Sequence, residues 1–134
     1  MAISLNTEGK GWMSIAFTGA TSTSDGGLGA LANPEGVTLI ITRSLLYVSA
    51  NSDGAANLEV GVGATSTTNA TDIIGTLAMG AAAGKIYNGS TIQTTAKTEI
   101  TAPVLWTSSK YLTFTGSADT TGLAGTLYVE YLRV

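Results

Sequence analysis

The sequence predicts an all-β protein, an antiparallel β-sandwich of about eight short strands, with a jelly roll as one arrangement of that size. Apolar residues repeatedly alternate with polar ones at a period of two, and clusters of Gly, Asn, Asp and Pro separate these stretches. No stretch shows the pattern of a long helix. The 134 residues fit a single domain, assigned to 1–134.

The stretch 37–62 is predicted to form a β-hairpin. Its first arm, 37–48, is rich in β-branched and aromatic residues, and its second arm, 57–62, alternates apolar and polar positions. Between the arms, residues 50–55 contain turn-forming Asn and Asp, and Gly54 could adopt a positive φ. The turn is therefore expected to specify the pairing of the two arms.

The apolar pattern of the first arm changes phase near Arg43. Leu39 and Ile41 share one register, whereas Leu46 and Val48 share the other. A β-bulge, or a strand that is buried on both faces, would produce such a change.

The N-terminal third contains a further strand and a long connection. Residues 1–11 contain Ile3 and Leu5 in alternation with polar residues, which suits a short first strand or an extended N-terminal arm, and the glycines at 9 and 11 break it from a strand at 12–17. The connection 18–36, of roughly twenty residues, is unusual unless it is functional or ordered by a partner. A turn is predicted at its end, around Pro34 and Gly36.

The second half is predicted as short strands and turns. Asp72–Leu77 is a short strand or a turn that buries Ile73 and Leu77, and the pair Asn88-Gly89 is a turn. The other predicted strands follow in order at 90–101, 103–106, 110–115 and 126–134.

The composition indicates an unusual surface. Hydrophobic residues make up 44% and charged residues 11%, against about 25% charged in ordinary soluble domains. The exposed faces could be lined by Thr and Ser, or much of the surface could be buried against other subunits, since interface cores contain few charges. We favour the second interpretation. A net charge of −3 with no basic cluster argues against nucleic-acid binding.

Several residue types that carry chemistry are missing. The chain has no Cys and no His, so thiol sites and the commonest general base are excluded, and its acidic residues are scattered. Gly80 and Gly84 are one residue too close for a phosphate-binding loop. The pair Gly61 and Gly63 is better explained by close approach of backbone or by a turn than by a dinucleotide site. We therefore expect no enzyme, no metal, no cofactor and no small-molecule substrate.

The N-terminus lacks the basic start and apolar segment of a signal peptide. The longest run of small apolar residues, 77–84, is far below the ~20 residues that span a bilayer. We therefore expect no association with a membrane, and we expect the protein to be made in the cytosol.

The aromatic residues allow two interpretations. Trp12 and Trp106, together with several Tyr, could form a platform on which a sugar stacks. Alternatively they belong to the core or to subunit contacts, where aromatic side chains contribute most area. We favour the second interpretation.

Three segments carry a resemblance. The runs ANPEGVTLIITR at 32–43, GAANLEVGV at 54–62 and GSADTTGLAG at 116–125, before the motif Tyr128-Val-Glu-Tyr131, resemble small virion proteins of tailed bacteriophages, the capsid decoration or cement proteins with β-sandwich folds. The resemblance implies a homotrimer at local three-fold positions on the outer capsid surface, bridging major capsid proteins. It implies no catalytic or ligand-binding residues.

The expected contact surface with the shell or with other subunits comprises Ile3, Leu5, Trp12, Leu28, Leu31 and Pro34. The alternative function is a carbohydrate-binding β-sandwich of a phage fibre or tail component, which would use Trp12 and Trp106. A head-to-tail connector and an unrecognised hydrolase are the remaining alternatives.

Overall fold

The computed structural model describes residues 9–89 and 103–134. All regular secondary structure in these two ranges is β-strand. These ranges contain no helix that is long and apolar enough to cross a bilayer. The strands are β1 (Lys10–Thr18), β2 (Gly29–Ala32), β3 (Leu39–Ala50), β4 (Asn57–Gly63), β5 (Ile74–Ala78), β6 (Ile86–Gly89), β7 (Val104–Trp106), β8 (Tyr111–Gly116) and β9 (Ala124–Arg133).

The strands form two antiparallel sheets. Sheet A has the order β1-β9-β3-β6, with β7 also paired to β3, and sheet B has the order β2-β8-β4-β5. The predicted all-β antiparallel sandwich is therefore confirmed, with nine strands in the described residues where about eight were expected. β2 lies inside the predicted connection 18–36, which is thus only partly a loop.

The core lies between the sheets and takes one face of each. Leu46 of β3 and Leu127 of β9 in sheet A, like Leu58 of β4 and Leu112 of β8 in sheet B, have no exposed surface. This alternation of buried and exposed positions is what the period-two patterns predicted. The remaining large side chains with no or almost no exposed surface come from both sheets and from the connections between strands. They are Leu39, Val48, Ile74, Leu77, Met79, Trp106 and Leu123.

The predicted bulge in β3 is confirmed. The register of β3 with β9 shifts between Ile41 and Arg43, so that Thr42 has no direct partner. Its hydroxyl donates to Glu130 Oε1 at 3.0 Å. Because the extra residue reverses the alternation, Leu39 and Ile41 before it and Leu46 and Val48 after it all face the core.

The predicted hairpin at 37–62 is wrong. β3 pairs with β9, β6 and β7 in sheet A, whereas β4 pairs with β5 and β8 in sheet B. Each arm has one apolar face, and these faces meet across the core instead of lying side by side. The connection is held from outside the two arms, because Asp53 N donates to Thr121 O at 2.7 Å and Ser52 N to Met79 O at 3.2 Å. Gly54 has no positive φ.

Two further local predictions are wrong because strand pairing overrides turn preference. Asn88 and Gly89 lie within β6 and pair with Leu45 and Ser44 of β3. β1 begins at Lys10, so Gly11 is inside the strand. The ring of Tyr131, on the neighbouring strand, occupies the space beside Gly11 that a side chain would fill. The predicted strands at 90–101, and Ile3 and Leu5, lie outside the described residues.

The predicted turn at 33–36 is confirmed. Asn33 Oδ1 accepts from Glu35 N at 3.0 Å and from Gly36 N at 3.2 Å, and Gly36 has a φ of 69°. The Asn33 amide also donates to Trp106 O at 3.0 Å, which attaches the turn to β7. An Asn that bonds the following backbone, with a Gly at the left-handed position, explains the sharp reversal before β3.

Candidate interaction surface

Two loops cover the outward face of sheet B. The backbone N of Gly26, in loop 19–28, donates to Thr115 Oγ1 of β8 at 2.9 Å. Asn69, in loop 64–73, donates to Glu59 Oε2 of β4 at 2.8 Å. As a result Thr113, whose side chain points outward from β8, has no exposed surface. The outward face of sheet B is therefore largely shielded along β4 and β8, whereas Ala30 and Ala32 of β2 remain exposed.

Two glycines of β4 allow the second loop to lie close to the strand. A Cβ on Gly61 would lie 2.0 Å from Asp72 Oδ1, and a Cβ on Gly63 would lie 2.6 Å from Thr68 Cβ. The same Asp72 oxygen accepts from Val62 N at 2.8 Å. The close-approach role predicted for these two glycines is confirmed.

The outward face of sheet A, in contrast, is apolar, and no loop of the described residues covers it. We call it the sheet A outer face. The exposed fraction of Trp12 on β1 is 52%, and that of Leu105 on β7 is 53%. The face consists of residues that point away from the core on every strand of the sheet, namely Trp12, Ile40, Leu45, Tyr47, Ile86, Leu105, Tyr128 and Leu132.

Strand register places these side chains next to one another. Ile40 is the cross-strand partner of both Leu132 and Leu105, which makes a row of three aliphatic residues. Leu45 pairs with Tyr128 in the same way, and Tyr47 pairs with Ile86. Directly opposed residues in a sheet are in contact range, so the apolar groups are continuous along these rows.

A band of charge crosses the sheet A outer face between the apolar rows. Lys10 Nζ lies 3.0 Å from Glu130 Oε2, and Arg43 is the register partner of Glu130 on the other side. The hydrogen bond from Lys10, followed by that from Thr42, lowers the pKa of Glu130 below its usual range. The carboxylate is therefore ionised at neutral pH, and the band carries both signs.

Acidic side chains do not cluster into a metal site in the described residues. No group of three or more acidic side chains that could hold a metal occurs there. A shallow depression between the β3–β4 connection and the end of β5 is lined by small neutral residues: Ala55, Ala56, Asn57, Ala78, Gly80, Ala81 and Ser117. The best candidate for an interaction surface is the sheet A outer face, because large exposed apolar patches mark protein contact sites.

The predicted contact residues are distributed over different parts of the molecule. Trp12 lies on the sheet A outer face. Leu28 immediately precedes β2 of sheet B and Leu31 lies within it, and both pack partly against the core. Pro34 is exposed in the β2–β3 connection. The four described residues therefore do not form one surface around Trp12, and Ile3 and Leu5 lie outside the described residues.

The other seven members of the sheet A outer face were not among the predicted contact residues, although Tyr47 and Tyr128 are two of the tyrosines considered for the sugar-stacking platform. The signal was consecutive apolar residues in β3 and β9, such as Leu39-Ile40-Ile41 and Leu127-Tyr128-Val129. In a two-layer sandwich such a run must place apolar side chains on the solvent side as well as in the core.

The two tryptophans have different environments. Trp106 has no exposed surface, and its Nε1 donates to Lys110 O at 2.9 Å. The interpretation of Trp106 as a core residue is confirmed, which removes it from any sugar-stacking platform. Trp12, Tyr47 and Tyr128 are the aromatic residues exposed on the sheet A outer face.

No protein-family model matches this chain, and no curated protein matches it in sequence.

Proposed function

We propose that this protein is a structural component of a virion, an outer capsid decoration subunit that bridges and stabilises the major capsid proteins of a tailed bacteriophage. The observation that carries the proposal is the sheet A outer face, an open apolar surface on a chain that is only 11% charged. The resemblance of three sequence segments to decoration proteins supplies the setting. The proposal gives the protein no catalytic role.

We further infer that the sandwich is a jelly roll. With β7 set aside, the two orders β1-β9-β3-β6 and β2-β8-β4-β5 place chain neighbours at matching positions in the two sheets. β1 matches β2, β9 matches β8, β3 matches β4, and β6 matches β5. This is the arrangement of a jelly roll, in which a ribbon of paired strands folds into two Greek keys. Viral capsid proteins are among the proteins with this fold. The jelly-roll order supports a role in a capsid only by analogy with other proteins of that fold.

In the proposed mechanism the sheet A outer face lies against the shell. Burial of Tyr128, Leu132 and their neighbours supplies a non-directional driving force. The mixed charges of Lys10, Glu130 and Arg43 favour one orientation, since opposed charges fix register more than they add affinity. We propose that the subunit acts as a homotrimer, as the resemblance implies. Several modest contacts on one trimer then act at high effective concentration.

The test is binding to expanded, undecorated shells of the parent phage. The wild-type protein should bind at a saturating, symmetric copy number, whereas Tyr128→Glu should lose binding because it places a charge within the apolar rows. Ala64→Glu is the matched control, since Ala64 is exposed in the loop that covers sheet B. Far-ultraviolet circular dichroism shows that each variant is folded. Failure of the wild-type protein to bind, or loss of binding by Ala64→Glu alone, would contradict the proposal.

The second candidate function is glycan binding by a fibre or tail component, favoured by the three aromatic residues exposed on one face. It predicts a glycan interaction that is lost in Trp12→Ala. Trp106→Ala is unsuitable for this test, because Trp106 is buried. Imaging of labelled particles would separate a location on the head from a location on the tail or at the connector.

A further inference from the structure

The first strand lies at an edge of sheet A. β1 spans nine residues and pairs with β9 along its whole length, from Lys10 opposite Leu132 to Thr18 opposite Ala124, without a register shift. No described strand pairs with β1 on its other side. Among the described strands, β1 is therefore a long, regular edge strand.

The direction of the free backbone groups follows from the ladder. At one end Gly9 O accepts from Arg133 N, and at the other Gly19 N donates to Leu123 O at 2.7 Å. In an antiparallel ladder, successive residues alternate between bonding the neighbour and pointing away from it. The odd-numbered residues of β1 therefore bond β9, and the even-numbered residues direct their N–H and C=O groups outward. The Lys10 carbonyl already accepts from Arg133 Nη1 at 3.1 Å.

Within the described residues, β1 lacks the devices that normally protect an edge. Natural edge strands are short, bulged, interrupted by Pro or marked with inward charges, because an open edge invites pairing with another chain. β1 has no Pro and no bulge, and its charged residue, Lys10, stands at the end. Met13 and Ile15, which face the core side, remain partly exposed. This edge has the properties of a strand that is paired in the working protein.

We propose that two copies of the chain pair through β1, antiparallel across a two-fold axis at Ser14, and so join their A sheets into one continuous sheet. In this register Lys10 opposes Thr18 of the second copy, Trp12 opposes Ala16, and Ser14 opposes Ser14. These are the even-numbered residues, so the Trp12–Ala16 and Ser14–Ser14 pairs exchange backbone hydrogen bonds whose groups have no partner among the described residues of one copy. The Lys10 carbonyl, which already accepts from Arg133 Nη1, would accept from Thr18 N through its second lone pair. Addition of a strand to an edge is a recurring mode of recognition.

The side chains of β1 support a second copy as the occupant. On the outward face, the large Trp12 stands across from the small Ala16. On the inward face, Gly11 stands across from Phe17, and Met13 across from Ile15. The first two pairs set a large residue opposite a small one, and the third sets two apolar residues side by side, so the strand is self-complementary, which a two-fold interface requires. Pairing also covers part of Trp12, whose exposed fraction is 52% in one copy.

The two-fold contact does not depend on the proposed function. It is also compatible with trimers on a shell, because adjacent three-fold positions of an icosahedral lattice are related by two-fold axes. The contact would then link neighbouring trimers.

Hydrogen exchange of β1 amides is the direct test, measured by NMR on the full chain over a range of concentration. In an unpaired copy the odd-numbered amides are protected and those of Trp12, Ser14 and Ala16 exchange rapidly. In the pair, the even-numbered amides should slow by at least about tenfold as concentration rises, since they become ladder donors. Mass measurements should show an even number of copies. Rapid exchange at these amides up to about 100 μM, or a pure trimer with rapid exchange, would overturn the proposal.

Two variants test where the contact lies. Ser14→Pro removes an N–H that β9 does not use, so a single copy keeps its ladder and the pair is blocked. Ala16→Glu, which places a charge opposite Trp12, serves if Ser14→Pro does not fold. Leu105→Glu is the control, because it adds a charge to the same outer face on the far strand β7. Loss of pairing in Leu105→Glu with pairing intact in Ser14→Pro would show a face-to-face contact and overturn the proposal. Shell binding is a separate readout, so either proposal can fail alone.

Discussion

Arg133 on β9 donates a hydrogen bond from Nε to Glu35 Oε2, in the turn before β3, and the two residues are 98 positions apart in the sequence. The Arg133 guanidinium also lies 5.3 Å from the centre of the Tyr131 ring and donates to Lys10 O on β1. One side chain thereby connects β1, β9 and the turn that leads into β3. The pair is partly shielded, with side-chain exposures of 30% and 28%.

This pair should make stability depend on pH. The hydrogen bond from Arg133 is the main cause that lowers the pKa of Glu35 below its usual range. A carboxyl group whose pKa is lower in the folded state stabilises the fold above its unfolded pKa, and the contribution is lost as pH falls through the folded pKa. Urea unfolding should therefore show Glu35→Gln to be less stable than wild type at neutral pH, with the difference vanishing in acid. A difference that stays constant with pH would contradict the assignment.

Substitutions on opposite faces of β9 should have different effects. Leu127→Ala removes a fully buried side chain and should cost about 2–5 kcal/mol of unfolding free energy. Leu132→Ala, on the sheet A outer face with 41% exposure, should cost less than about 1 kcal/mol. Urea denaturation of both variants at one protein concentration would measure the two losses. Equal losses would mean that the inner and outer faces are assigned wrongly.

Two glycines in neighbouring connections should tolerate alanine differently. Gly122 has a φ of 91°, and a Cβ there would lie 2.4 Å from Asp53 Oδ1. Gly122→Ala should therefore destabilise the fold by at least about 1–2 kcal/mol. Gly54 has no positive φ, and no atom lies within 4 Å of the position that an alanine methyl group would take there, so Gly54→Ala should be neutral or slightly stabilising. Thermal unfolding of both variants measures the contrast.

The cover over sheet B should depend on Gly61. Since a Cβ at this position would overlap Asp72 and Ala70, Gly61→Ala should displace the loop 64–73 and expose Thr113. Limited proteolysis should then cut the loop faster than in wild type. Gly80→Ala is the matched control, because its nearest neighbour would be at an ordinary 3.6 Å. Equal cleavage of wild type and Gly61→Ala would show that the loop tolerates a side chain there.

The strands were predictable because their buried residues alternate. Met13, Ile15 and Phe17, for example, follow the period of a strand that has one face on a core. The partners of each strand were not predictable in the same way. The turn chemistry at 50–55 indicated a reversal, but a reversal within one sheet and a crossing between sheets use similar residues. β3 and β9 are far apart in sequence, and no local pattern marks their pairing.

The interaction surface was only partly predictable for the same reason. The low charge of the chain predicted that surface would be buried against neighbours, and Trp12, one of the predicted contact residues, is exposed on the sheet A outer face. The row formed by Leu105, Ile40 and Leu132 depends on register between three strands. Leu28 and Leu31 were selected from a connection that contains β2, whose pairing with β8 directs them partly into the core.

Among the described residues, loops cover only sheet B, which gives the molecule two unlike sides and makes it suitable as a display scaffold. A short foreign peptide inserted near Thr67 would leave from the covered side, opposite the bare sheet. An attached epitope or enzyme placed there would project away from whatever surface the bare sheet adheres to, so that coating density and cargo orientation would be set by the fold itself.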